Sequence, residues 1–113
     1  MDLSQDLTKG TFVPIILSLL KERAMYGYEI VKIVNARTRG RLEWKEGTLY
    51  PTLHRLEADG LVRSRWQDVP GEGESARRRK YYSITRKGLV ELARRAAEWR
   101  EFSMAVNALV MGA

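Results

Sequence analysis

The 113-residue sequence predicts a mainly α, α+β fold in which several helices accompany one β-hairpin. Three observations predict it. Residues 46–59 have the apolar spacing of a short helix, and residues 61–85 contain two strand patterns. Residues 86–113 have the pattern of a long amphipathic helix. A short helix that fits a DNA major groove, followed by a basic hairpin, is typical of a winged helix-turn-helix. We therefore predict a winged helix-turn-helix with an added long C-terminal dimerisation helix.

Length and composition limit the function. We place the DNA-binding domain at residues 1–85, its wing at about 61–85, and the dimerisation helix at 86–113. The net charge of +6 favours a polyanionic partner. The sequence has no cysteine and a single histidine, His54, so we expect no metal site, no cofactor and no catalytic triad. Without a signal peptide or a membrane-spanning segment, a cytoplasmic, nucleoid-associated protein is expected.

The first helix is predicted to begin near Gly10 or Thr11, because Pro14 is tolerated only within a first turn. Residues 12–20 are apolar on nearly every side, which indicates burial against both the domain core and a partner subunit. The residues of this helix predicted to contact the partner are Phe12, Ile15, Ile16 and Leu19.

A short turn at residues 22–25 leads to the second helix, predicted from Tyr26 to about Thr38, with Gly40 as its stop. Residues 41–44 are predicted to form a short strand. The third helix follows from about Glu46 to Asp59. Its predicted buried stripe consists of Leu49, Leu53 and Leu56.

The neighbouring face of the third helix is narrow and polar, and it can enter a major groove. Its predicted DNA contacts are Thr48, Pro51, Thr52 and Arg55. The alternative is an ordinary solvated face.

Other candidate contacts stand at helix starts, where side chains commonly meet phosphates. They are Tyr26, Tyr28 and Lys45, although Tyr28 could equally lie in the core. Tyr50 is predicted to contact a phosphate, or else to pack on the neighbouring helix. His54 is expected at the rim. The tryptophans expected in the core or at its hydrophobic edge are Trp44 and Trp66.

The wing is predicted as strands at Leu61–Gln67 and Lys80–Thr85, joined by a charged loop. The basic run beside the second strand consists of Arg77, Arg78, Arg79 and Lys80. We expect these cations to bind DNA phosphates, with salt-sensitive affinity. The alternative is a solvated run that balances Glu72 and Glu74.

Thr85 is predicted to cap the final helix. Apolar residues then recur at steps of three and four, as in a coiled-coil seam, so we expect a homodimer. The residues predicted at this interface are Leu89, Leu92, Ala96, Trp99, Phe102, Val106, Leu109 and Val110. Trp99 and Phe102 are candidate contacts for a flat aromatic effector, although Trp99 could instead be a packing anchor of the interface.

Several segments together resemble the PadR family of bacterial winged-helix regulators, in its short form with one C-terminal helix. They are Met25–Ile30, Glu46–Pro51, Leu53–Glu57 with Gly60–Leu61, Arg78–Tyr82, Thr85–Gly88 and Glu98–Trp99. The resemblance covers about residues 10–110. It implies a homodimer that represses transcription from palindromic operators and is released by small molecules such as phenolic acids. The wing loop, residues 69–76, is longer and more acidic than is usual in this family.

The sequence therefore predicts a sequence-specific DNA-binding transcriptional regulator, a repressor of the PadR type released from a palindromic operator by a small aromatic effector. Its predicted partners are double-stranded operator DNA and a second copy of the chain, with no membrane partner. One rival is a winged helix whose basic face binds an acidic protein. RNA binding and an enzymatic role are weaker rivals, because neither an aromatic platform nor a catalytic constellation is evident.

Overall fold

The computed structural model describes residues 9–69 and 77–112, and it confirms the predicted fold class. The elements in chain order are a 3₁₀ turn (Lys9–Thr11), α1 (Phe12–Glu22), β1 (Met25–Tyr26), α2 (Gly27–Arg37), α3 (Glu46–Ala58), β2 (Val62–Val69), β3 (Arg77–Ile84) and α4 (Arg86–Val110). The strands form one antiparallel sheet in the order β1-β3-β2. Helices α2 and α3 make the helix-turn-helix, and β2 with β3 makes the wing.

The hydrophobic core lies between α1, α2, α3 and the sheet. Its largest fully buried side chains are Tyr82, Ile16, Leu17, Met25, Ile30, Leu49, Leu53 and Val62. The stripe predicted for α3 is buried in full, which confirms the helical spacing found in the sequence. Trp44 is also buried, and its ring packs edge-on against Phe12 with centroids 4.7 Å apart.

The strand predicted at residues 41–44 is wrong, because this segment is a turn followed by irregular chain. Two of its backbone donors are bonded to side chains near the C-terminal end of α2: the Trp44 N–H donates to Asn35 Oδ1 at 3.1 Å, and the Leu42 N–H donates to Thr38 Oγ1 at 3.2 Å. The third strand of the sheet is instead the two-residue β1, so α2 begins one residue later than predicted.

Gly60 ends α3 in a left-handed conformation, with φ of +77°. Its N–H donates to the Glu57 carbonyl at 3.0 Å, and the Leu61 N–H donates to the Leu56 carbonyl at 2.9 Å. This pair of bonds is the Schellman motif, which occupies the last free carbonyls of a helix. The chain therefore leaves α3 directly into the wing.

The start of α4 is fastened to the end of α3. Thr85 Oγ1 accepts a hydrogen bond from the Gly88 N–H at 3.0 Å, which confirms the predicted cap, and donates one to the Gly60 carbonyl at 2.6 Å. A Cβ at Gly88 would lie 2.1 Å from the Leu61 carbonyl oxygen. Only glycine allows α4 to approach the base of the wing this closely.

The two wing strands are longer than predicted, because pairing continues from Val62 opposite Ile84 to Val69 opposite Arg77. Residues on both sides of the predicted loop are therefore strand. Residues 70–76, which carry the acidic part of the predicted wing loop, lie outside the described residues.

Helix α4 has 25 residues, which corresponds to about 37 Å. Its first turns join the core through Gly88 and Leu92, and its remainder extends the molecule to 60 × 33 × 21 Å. Across the two described ranges, no helix has both the length and the hydropathy to span a membrane.

Three residues predicted at the dimer interface belong to the core of the single chain. Ile16, Leu19 and Leu92 expose 1%, 5% and 9% of their surface. Side chains so enclosed have almost no area left for a partner, so this part of the prediction is wrong. Phe12 and Ile15 are half-buried and pack against the same core.

Candidate nucleic-acid interface

Helix α3 presents one continuous exposed face. Thr48, Pro51 and Arg55 lie on it as predicted, and Lys45 is exposed at the N-cap. Over residues 9–69 and 77–112, Arg55 has no ion-pair partner, so its guanidinium is available to an incoming acceptor. A hydroxyl and a forked cation on a narrow face have the chemistry that reads base edges.

Thr52 does not belong to this face. It is 5% exposed, and its Oγ1 donates to the Thr48 carbonyl at 3.1 Å. Thr52 lies about 40° further round the helix than Thr48, which is enough to place it against the core. The prediction that it presents its hydroxyl to DNA is therefore wrong, and we leave it out of the interface.

Tyr50 is half-buried beneath α2. A Cβ at Gly27 would lie 2.7 Å from the Tyr50 ring and hydroxyl, so the glycine makes room for this side chain. Burial raises the pKa of Tyr50, and the Glu46 carboxylate adds to the shift. The hydroxyl therefore stays protonated and can donate to an anion near the start of α2.

The wing carries its cations over aromatic rings. The Arg79 guanidinium lies 4.4 Å from the centroid of Tyr26, and Arg78 lies 5.4 Å from that of Trp66. Lys80 Nζ lies 5.9 Å from the Trp66 centroid. Such contacts fix the direction of long basic side chains while leaving their N–H groups free. The side chain of Arg77, which is also a predicted DNA contact, lies outside the described residues.

Glu57 joins α3 to the wing. Its Oε2 accepts hydrogen bonds from the Ser64 N–H at 3.1 Å and from Ser64 Oγ at 2.5 Å. Its Oε1 lies 3.9 Å from Lys80 Nζ. Because Glu57 is hydrogen-bonded to β2, which pairs with β3 along its whole length, the exposed face of α3 and the wing cations keep a fixed relative position.

Two tyrosines lie at the start of α2. Tyr26 is half-buried in β1, with its ring edge-on to Tyr81 at 5.6 Å. Tyr28 is half-exposed, with Lys32 Nζ 5.6 Å from its ring, so the alternative that it lies in the core is wrong.

Two exposed residues near this surface were not predicted as contacts. Trp66, expected in the core or at its edge, is 57% exposed. His54 lies on the exposed side of α3. The role of Trp66 could have been predicted, because an aromatic residue in one wing strand can support the cations of a basic run in the other. In the structure Trp66 pairs with Lys80 across the hairpin.

A second surface lies on α4. From Ala96 onward nearly every residue is exposed, including Trp99, Phe102, Val106, Leu109 and Val110. Leu89, nearer the helix start, is also exposed. This apolar area is large for one small subunit.

The predicted effector residues lie in a groove between the start of α1 and α4. Its volume is about 450 Å³, and its walls include Pro14, Arg95, Trp99 and Phe102. The Trp99 and Phe102 rings are 6.1 Å apart and tilted by 38°. A flat aromatic ligand in this groove would lie beside both rings.

Comparison with known proteins identifies the family. Residues 16–94 match the model of the Transcriptional regulator PadR-like family, which is most of the chain. The chain belongs to the PadR-like family of transcriptional regulators. A transcriptional regulator from Clostridium thermocellum is 37% identical, with 96% of this chain and 98% of that one covered and a TM-score of 0.83. A PadR family regulator from Eggerthella lenta is 35% identical, with 93% and 86% covered and a TM-score of 0.78.

Part of the chain also matches a regulator from Mycobacterium tuberculosis, Transcriptional regulator Rv3488. The two are 52% identical over 54 residues, which is 46% of each chain. As a PadR-like protein the chain is a DNA-binding transcriptional regulator, and its homologues are regulators, a class that typically lacks catalytic activity. Over the two described ranges, no group of three acidic or histidine side chains is arranged to hold a metal ion.

Proposed function

We propose that this PadR-like protein is a homodimeric repressor that binds a palindromic operator and is released by a small aromatic effector. The observation that carries the proposal is the fixed alignment of the exposed α3 face, with Thr48 and Arg55, beside the wing cations. In a two-fold dimer, two such faces would enter successive major grooves about one helical turn apart. The proposed place of action is the nucleoid, in the cytoplasm, where operator DNA is found.

The two parts of this surface have different proposed tasks. Arg55 reads base edges, because it has no acidic partner within the described ranges and shares a helix face with Thr48. Arg77, Arg78, Arg79 and Lys80 bind phosphates on the flanking backbone, as do Tyr26, Tyr28, Lys45 and Tyr50 near the helix starts. Phosphate contacts position the protein, whereas base contacts specify the sequence.

The effector is proposed to bind at the dimer interface beside Trp99 and Phe102. Two copies of α4 would close the groove from the outside and bury both rings. One dimer state holds the two α3 helices at the spacing that fits DNA, and the other holds them further apart. An effector at this place favours the second state only to the extent that it binds that state more tightly.

The test compares two variants on a duplex selected by the protein from a random-sequence pool. Arg55→Ala should weaken binding to the selected duplex by about 5- to 150-fold and leave binding to unrelated DNA nearly unchanged. The double variant Arg78→Ala/Arg79→Ala should weaken both alike and lower the salt slope by nearly two. Equal losses on both duplexes in both variants would contradict this division.

A further inference from the structure

A groove opens between α3 and the wing, and it differs from the groove beside Trp99. Its volume is about 400 Å³. Small-molecule sites usually measure about 300–1,000 Å³, whereas a DNA duplex is far too wide to enter such a space. The lining residues that bear on ligand chemistry are Tyr26, Trp66, Tyr82, Arg78, Arg79 and Lys80.

Trp66 supplies an available aromatic surface at the mouth of the groove. It is more than half exposed, although indole is among the most apolar side chains. Arg78 and Lys80 both lie within 6 Å of its ring centroid. A planar ligand stacked on Trp66 would therefore have its substituents within reach of two cations.

The cations here are poorly neutralised by the protein. Arg78 approaches Asp68 only to 3.8 Å, with both side chains mostly exposed, and Lys80 approaches Glu57 only to 3.9 Å. Arg79, within the described ranges, has no acidic partner. The exposed Arg78 pair contributes little, and Lys80 stays beyond hydrogen-bonding distance of Glu57, so the groove keeps a positive potential.

The wall of the groove also contains a buried polar atom without a partner among the described residues. Tyr82 is fully buried, and its hydroxyl makes no hydrogen bond to that part of the chain. Burial raises the pKa of Tyr82, as does the nearby Glu57 carboxylate, so the hydroxyl remains a donor. Buried hydroxyls in folded proteins nearly always have a partner, and this one would gain a ligand acceptor if the wall of the groove opened slightly around it.

Three cations favour a phosphate over a single carboxylate, because a phosphate monoester carries about −1.5 to −2 charges at neutral pH and accepts paired bonds from arginine. We propose that this groove binds a mononucleotide, whose base stacks on Trp66 and whose phosphate is held by Arg78, Arg79 and Lys80. The wall of the groove opens on binding, and a polar atom of the base or ribose accepts a hydrogen bond from the Tyr82 hydroxyl. The bound nucleotide fills the gap between α3 and the wing and competes with DNA. The competition rests on the proposed function, whereas nucleotide binding itself does not.

The first experiment follows the tryptophan indole N–H signals by NMR during titration with adenosine monophosphate. The chain has three tryptophans, and Trp66→Phe assigns the relevant signal. The Trp66 signal should shift, while those of the buried Trp44 and of Trp99 on α4 should not. Adenosine alone and inorganic phosphate alone should each bind at least tenfold more weakly. An unmoved Trp66 signal, or equal binding of inorganic phosphate, would overturn the proposal.

The second experiment tests the buried hydroxyl with two matched variants. Tyr82→Phe should weaken nucleotide binding on the order of five-fold, as expected for one lost hydrogen bond. Tyr81→Phe removes a hydroxyl from the preceding residue, which does not line this groove, and should change nothing. Equal effects of the two variants would contradict the assignment. Circular dichroism should show that both remain folded, since the Tyr82 hydroxyl makes no hydrogen bond to the described residues.

A third experiment, in which a nucleotide competes with DNA for the protein, distinguishes a failure of this proposal from a failure of the proposed function. Adenosine monophosphate should displace DNA from the wild-type protein more effectively than phosphate at equal ionic strength, and less effectively from Tyr82→Phe. Nucleotide binding without any DNA binding would overturn the proposed function and leave the site intact. DNA binding that the nucleotide does not affect, with an unmoved Trp66 signal, would overturn the site alone.

Discussion

At the residue scale, a few side chains and glycines determine where the elements meet. Gly88 is the tightest of these positions, because a Cβ there would overlap the Leu61 carbonyl oxygen. Gly27 plays a similar part above Tyr50, but there a Cβ would meet side-chain atoms. A backbone carbonyl cannot rotate out of the way as a side chain can.

The first prediction concerns Gly88. Gly88→Ala should lower the free energy of unfolding by about 1–3 kcal/mol, because α4 must move away from the base of the wing. Gly47→Ala is the matched control. A Cβ at Gly47, in α3, would meet no described atom within 4 Å, so alanine should be neutral or stabilise by up to about 1 kcal/mol. Thermal and urea unfolding measure both. An unchanged Gly88→Ala protein would contradict the close contact.

Predictions for single residues succeed where the local sequence alone determines the role of the side chain. They fail where the side chain could pack against either of two neighbouring surfaces. Thr85 is recognisable as a cap because its hydroxyl precedes a helical pattern. Apolar spacing shows that Ile16 and Leu92 face something apolar, but it does not tell whether that is the chain's own core or a partner. The error at Thr52 has a related reason, since a helix offers no sharp boundary between adjacent faces.

At the element scale, α4 depends on its first turn. Thr85→Ala removes the acceptor of the Gly88 N–H and the donor to the Gly60 carbonyl. We expect a loss of about 1–2 kcal/mol in the free energy of unfolding. Ser18→Ala, which removes an exposed hydroxyl within α1, should change stability by less than about 0.5 kcal/mol. Equal losses in the two variants would show that the Thr85 cap contributes no more to the free energy of unfolding than an ordinary exposed hydroxyl does.

The charge cluster on α4 predicts a pH dependence. Hydrogen bonds from Arg94 and Arg95 lower the pKa of Glu91 from 4.5 to about 2. Because the folded-state pKa is depressed, this stabilisation is fully present above pH 4.5 and is lost as the pH falls towards 2. NMR titration of the Glu91 carboxyl should show the low midpoint, and Arg94→Gln should raise it. A midpoint near 4.5 in the wild type would contradict these contacts.

The short strand β1 shows the limit of sequence patterns at this scale. Two residues are too few for a visible alternation, so the pattern around Met25–Tyr26 predicts only the end of a turn and the start of a helix. The strand is defined only by its pairing with β3, which lies more than 50 residues away in the sequence. The wing, by contrast, is predictable because its alternation extends over several residues.

At the scale of the whole molecule, the exposed seam of α4 should be covered by a second copy. Val106→Glu places a charge in the seam and should give a monomer, measured by sedimentation equilibrium. Val90→Glu makes the same substitution at an exposed position almost on the opposite side of the helix and should leave the dimer intact. A monomeric wild-type protein, or equal effects of both variants, would contradict the proposed dimer.

Sequence-specific DNA binding is tested most directly by recovering genomic DNA fragments with the purified wild-type protein at about 0.15 M salt, where nonspecific phosphate binding is already weakened. We expect enrichment of a short inverted repeat whose halves are about one helical turn apart. Recovery of only diffuse fragments that are lost as the salt rises would refute sequence-specific binding, and would leave Thr48 and Arg55 as an ordinary solvated helix face.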